Sequence, residues 1–129
     1  MGLDQASEAG IRRTLARYCH RCDDGDFDAF AELFCVDARF VVLGQEHVGR
    51  DAIKAFMEQA QPPEARGKHL LGQSDIAVDG DRAEAVTDYT FIAKRDGGYA
   101  ITSAGRYHDD LVRDDDGEWR FAARRIVFL

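Results

Sequence analysis

The sequence predicts an α+β fold in which helices of the N-terminal half close one side of a curved antiparallel sheet. Three observations carry that expectation. Apolar residues recur at helical spacing in segments up to Gln61, four long stretches rich in β-branched and aromatic residues follow Lys68, and an Asp/Gly turn stands between each pair of stretches.

The first segment, roughly Asp4 to Cys22, places Ile11, Leu15, Tyr18 and Cys22 at spacings of four, three and four, the apolar stripe of an amphipathic helix. Asp23-Asp24-Gly25-Asp26 ends it. A second, short helix is expected with Phe27, Phe30 and Phe34 on one face and Asp26 as its N-cap. Ala38 to Leu43 reads as a strand stopped at Gly44, followed by a turn or hairpin through His47 and Gly49. Arg50 to Gln61 repeats the helical spacing at Ile53, Phe56, Met57 and Ala60, with Asp51 as its cap, and Pro62-Pro63 stops it. The stretches Lys68–Val78, Arg82–Lys94, Tyr99–Arg113 and Glu118–Phe128 then form an antiparallel meander. Gly72 and Gly105 lie inside strands, where glycine marks a bulge, a bend or a close approach. Long strands curved around the helices make a cone with a pocket at its mouth.

The 129 residues form one domain, 1–129, with 45% apolar and 32% charged residues. A net charge of -7 argues against a nonspecific grip on nucleic acid or an anionic membrane, so a small molecule or another protein is the expected partner. The sequence shows no apolar run of membrane-spanning length and no basic-then-apolar leader, and a cytoplasmic location is expected. Cys19, Cys22 and Cys35 are too few for a disulfide scaffold. Cys19-His20-Arg21-Cys22 lies inside a helix without a second ligand pair, so it is read as structural and no metal site is expected.

Asp23, at the C-terminal edge of the first helix, faces the negative end of the helix dipole and needs a partner or solvent. His69 opens the first long strand. It is either a general base beside a carboxylate or a strand-edge histidine bonded to solvent or backbone, and spacing leaves both open. Tyr89 and Phe91 share one strand face, and Tyr99, Ile101, Ser103, Gly105 and Tyr107 share a face of the next. Should those faces be concave, they line a small-molecule pocket; otherwise they are core.

Taken together, Arg17-Tyr18, Asp23-x-Gly25-Asp26-Phe27-Asp28, Gly49-Arg50-x-x-Ile53, Lys68-His69, Gly105-Arg106-Tyr107-x-Asp109-x-Leu111 and Gly117-x-Trp119-Arg120-Phe121-x-x-Arg124 resemble the SnoaL-like (polyketide cyclase and scytalone dehydratase-like) branch of the nuclear transport factor 2-like superfamily. The resemblance implies a cystatin-like α+β barrel with a deep pocket, packed as a homodimer through the outer sheet face. It also implies a catalytic dyad of Asp23 and His69 that removes a proton from a small apolar or aromatic substrate without a cofactor. Tyr18, Tyr89, Phe91 and Tyr107 would bind that substrate, and Arg124 matches an arginine that faces the pocket in some members and would bind it too; the alternative is that Arg124 is a salt-bridged residue of the sheet. The ketosteroid isomerase mechanism is not expected, because Phe40-Val41-Val42-Leu43 stands where its base would lie. An epoxide-opening arrangement would need Asp88 or Asp109 with Arg106 inside the cone. The rival to an enzyme is a noncatalytic ligand-binding or dimerising domain of the same fold.

Overall fold

The computed structural model describes residues 4–129. In chain order these form α1 (Gln5–Asp24), α2 (Phe27–Ala31), β1 (Phe34–Val42), β2 (Gln45–Val48), α3 (Arg50–Ala60), a 3-10 turn (Pro63–Ala65), β3 (Lys68–Asp79), β4 (Arg82–Arg95), β5 (Gly98–Arg113) and β6 (Trp119–Phe128). The six strands make one curved sheet ordered β2-β1-β6-β5-β4-β3. It is an α+β fold, as the sequence predicts.

Two features of the sheet lie beyond what the sequence predicts. The meander is antiparallel throughout, but its last strand, β6, returns beside β1 in parallel. The barrel stays open, because β2 and β3 are sheet edges with no ladder between them. Local propensity carries no information about either, since both depend on where the crossover through α3 delivers the chain.

The helix ends also shift. Asp4 is the N-cap of α1, its carboxylate accepting from the Ser7 N–H at 3.1 Å, and the helix runs on to Asp24. Gly25 stops it in the left-handed region at φ 73°, where a Cβ would strike the Arg66 guanidinium. Asp26 caps α2 as expected, but Phe34 has already left the helix and begins β1. Asp51 is in the first turn of α3, not at its cap; Gly49 holds that position without a side-chain bond.

Helix α1 lies diagonally across the concave face. Near its start Gly10 abuts Trp119 so closely that a Cβ would meet the indole at 2.8 Å, and the Thr14 hydroxyl donates to the Trp119 carbonyl at 2.7 Å. In mid-helix Tyr18 packs on Phe30, Phe34, Tyr107 and Phe121. Its end reaches β3. Strand β4 alternates cleanly beneath it, with Ala83, Ala85, Thr87, Tyr89, Phe91 and Ala93 buried and their neighbours more exposed.

One ion pair sits inside this core. Arg124 donates from Nε and Nη2 to the two oxygens of Asp109 at 2.7 and 2.8 Å, and the side chains are 1% and 0% exposed. The guanidinium also lies over the rings of Tyr18, Tyr107 and Phe121, at 4.1, 3.8 and 4.4 Å from their centroids. Removing one partner strands a buried charge. Asp109→Ala should therefore cost about 3–5 kcal/mol of unfolding free energy in urea titration, while Asp109→Leu combined with Arg124→Met should lose much less. Equal losses in the two variants would show that shape, not charge, sets the cost.

Candidate active site

The apolar stripe of α1 buries Ile11, Leu15, Tyr18 and Cys22, and the next residue, Asp23, emerges at the helix end beside the start of β3. There the strand register sets His69 opposite Phe91 and Leu71 opposite Tyr89, so His69 points to the concave side. Asp23 Oδ1 is 2.6 Å from His69 Nδ1, and Asp23 Oδ2 accepts the His69 backbone N–H at 2.9 Å. Both carboxylate oxygens thus grip one residue. The Asp23 and His69 side chains are 3% and 10% exposed.

An ionised Asp23 places the shared proton on Nδ1 and leaves Nε2 as the basic nitrogen of the ring. The imidazole is fixed further by Phe91, whose ring centroid lies 4.6 Å away, and by Tyr18 and Tyr89 at 6.3 and 6.2 Å. Tyr89 stacks on Tyr107 at 4.5 Å with planes 7° apart, and its hydroxyl shares a 3.0 Å hydrogen bond with Ser103. Gly105 makes that stacking possible, since a Cβ there would lie 2.9 Å from the Tyr89 ring.

These residues enclose a cavity of about 200 Å³. His69, Tyr18, Tyr89, Phe91 and Tyr107 line it, together with Phe40, Leu43, Phe56, Met57, Gln61, Ser103, Ile126 and Phe128. Larger hollows of about 420 and 640 Å³ lie along the outer strand faces, and neither includes His69.

The structure separates Arg124 from the group. It stands behind Tyr18 and Tyr107, bound to Asp109, and is absent from the cavity wall, so direct contact between Arg124 and a substrate is corrected here to a salt-bridged sheet role. The epoxide-opening arrangement is also absent, because Arg106 and Asp88 pair on the exposed face while Asp109 is held by Arg124. Tyr99 and Ile101 depart from the expected strand face. A bulge leaves Thr102 unpaired between Ser103 and Ile101, which turns both residues outward to 78% and 64% exposure.

The wall contributed by α3 and β6 escaped sequence reading. The helical spacing of Phe56, Met57 and Ala60 marked an inward face without saying that a cavity lay beneath it. Ile126 and Phe128 share the inward parity of Arg124, a signal that required the register of β6.

Cys22 Sγ lies within 4.8 Å of the ligand-type atoms of Asp23 and His69. Burial pushes the Cys22 thiol up to about 12, with the Asp23 carboxylate adding to the effect. It is a neutral neighbour at physiological pH. Within this trio Asp23 and His69 are already engaged with each other, through Nδ1 and through the backbone N–H. Among the described residues, no helix is long and apolar enough to cross a membrane.

The sequence model of the SnoaL-like domain matches residues 5–125. The Mycobacterium tuberculosis protein Rv3472, of unknown function, superposes with a TM-score of 0.90 at 30% identity, covering 97% of this chain and 73% of that one. An NTF2-like protein with a cystatin-like fold from Novosphingobium aromaticivorans gives 0.88 at 28% identity, over 95% and 81% of the two chains. A Catenulispora acidiphila protein in complex with S-DNPA gives 0.86 at 23% identity, over 97% and 95%. A search of curated proteins returned no match.

Burial sets the alkaline behaviour of this region. It raises the Cys19 and Cys22 thiols from 9.0 to about 11 and about 12, and holds the Tyr18 and Tyr107 hydroxyls above the usual phenol range against the pull of Arg124. The folded chain keeps protons that the unfolded chain loses, so this contribution is complete below about pH 9 and disappears as pH climbs through those raised values. Urea midpoints should fall between pH 8 and pH 10.5. At pH 8 iodoacetamide should label half-buried Cys35 before Cys19 or Cys22, and fast labelling of Cys22 would contradict its enclosure.

Proposed function

The chain belongs to the SnoaL-like family, whose fold is that of small-molecule enzymes, and from that premise we propose that it is a cofactor-independent catalyst of proton abstraction from a small, largely apolar, oxygenated ring compound. The observation that carries this reading is the 2.6 Å contact of Asp23 with His69 Nδ1 at the wall of an aromatic cavity. A histidine turned to solvent, or a cavity filled by side chains, would have favoured a noncatalytic domain.

In this mechanism His69 Nε2 takes a proton from a carbon beside a carbonyl, or from a hydroxyl. The electron pair of a broken C–H bond moves onto the carbonyl oxygen, that of a broken O–H bond stays on its own oxygen, and in both cases Asp23 stabilises the imidazolium that results. Tyrosine hydroxyls at the cavity wall donate to the developing oxyanion. Tyr18 and Tyr107 are the suited pair, because the Arg124 charge behind their rings favours negative charge in front of them. The high energy needed to ionise them keeps both as hydrogen-bond donors, not bases. Return of the proton elsewhere gives isomerisation, loss of hydroxide as water gives dehydration, and attack on a second carbonyl gives ring closure.

The neighbour complexed with S-DNPA supports small-molecule occupancy of such a fold. The resemblance also supports a homodimer through the outer sheet face. Sedimentation should then give twice 14.4 kDa.

The test is hydrogen exchange in D2O, followed by NMR, at the acidic C–H of hydroxylated one- and two-ring ketones. Wild type should accelerate exchange, and His69→Ala should lose at least about 100-fold of that acceleration while still unfolding cooperatively, at a somewhat lower temperature because Asp23 loses one of its two donors. Exchange at equal rates in both would overturn the dyad. Binding by calorimetry without any exchange would assign the cavity to a noncatalytic receptor.

A further inference from the structure

The hairpin between β1 and β2 breaks two local rules at one residue. Leu43 holds φ at 53°, and among the described residues it is the only non-glycine with a positive φ. That turn position suits asparagine or aspartate and strains a bulky apolar residue. The same side chain is 75% exposed. The next residue, Gly44, takes φ 73° without strain, so the turn itself needs no leucine.

Both costs fall at the mouth of the cavity. Leu43 shares that rim with Phe56 of α3 and Phe128 of β6, and Phe128 is itself 44% exposed. Leucine there serves neither the turn nor the buried core. What it does is carry the apolar wall outward, past Phe40 and Val42, to where a bound molecule would otherwise meet water. Local rules broken together at a binding cavity mark a residue kept for the ligand and not for the fold.

We infer that Leu43 is a specificity-determining residue that covers the outer, hydrocarbon flank of a ring-bearing ligand and selects against substrates with a polar group at that end. The inference rests on the cavity being the substrate site.

The experiment uses 2-naphthol as the probe, with fluorescence titration, thermal melting and light scattering on the wild-type chain and three variants. Leu43→Asn relieves the backbone and removes the apolar flank. It should melt about 3 °C higher and bind 2-naphthol about five- to tenfold more weakly. Leu43→Met keeps an apolar side chain at the strained position, and should match wild type in melting and stay within about twofold in affinity. Ser103→Phe fills the cavity from its wall and should abolish binding.

Unchanged affinity in Leu43→Asn, with binding lost in Ser103→Phe, would overturn the role of Leu43 and leave the cavity reading standing. Absence of binding by wild type, or full binding by Ser103→Phe, would remove both. A lower melting temperature of Leu43→Asn together with a smaller scattering mass would place Leu43 at a contact between chains, and would equally overturn the inference.

Discussion

The buried Arg124–Asp109 pair is the constraint around which the concave face is organised. Two charges taken out of water cost several kcal/mol each, and their attraction offsets that only when geometry and surroundings are favourable. Here the carboxylate is saturated by a two-pronged guanidinium, while Nη1 of Arg124 is buried with no hydrogen-bond partner. The faces of Tyr18, Tyr107 and Phe121 replace the missing acceptor with π density. Those rings come from α1, β5 and β6, so satisfying one cation fixes the helix to the sheet and sets the planes of two tyrosines that face the cavity.

Asp23 and His69 repeat this logic at the end of α1. A carboxylate in the last turn of a helix opposes the dipole, and Asp23 is also nearly buried. The His69 backbone N–H and ring compensate it, one on each oxygen. Because both donors belong to one residue, the carboxylate fixes strand and imidazole together. Loss of Asp23 would free the ring about its side-chain bonds as well as remove the charge, so its part is to position as much as to stabilise.

The sequence made the elements legible where the signal was local. Helical spacing places α1 and α3, the Asp/Gly turns place the meander, and Asp26 stands where a cap is needed. The Asp23–His69 pairing comes through resemblance, since the two residues are 46 positions apart and no periodicity links them. The parallel junction of β1 with β6, the partner of Arg124 and the outward turn of Tyr99 and Ile101 were beyond reach for the same reason. Each depends on a register or a bulge decided by packing between distant strands. A single unpaired residue in β5 was enough to invert the face of every residue beyond it.

The position of the cavity follows from where α1 stops. At the Trp119 end the helix lies tight against the sheet, held there by Gly10 below it and by inward residues as small as Ala83 and Ala85 on β4. Toward β3 the inward residues of the same strand grow to Tyr89 and Phe91, and the helix, tilted across the strands, ends at Gly25 just as it reaches His69. Beyond that glycine the chain turns away into α2. The stretch of sheet left uncovered by α1 faces α3, through Phe56, Met57 and Ala60, and the gap between them is the cavity. A longer first helix would bury His69 and close the space. A shorter one would remove Asp23 from its reach. The left-handed stop at Gly25 therefore fixes at once where the acid sits, where the base points and how much room a substrate has.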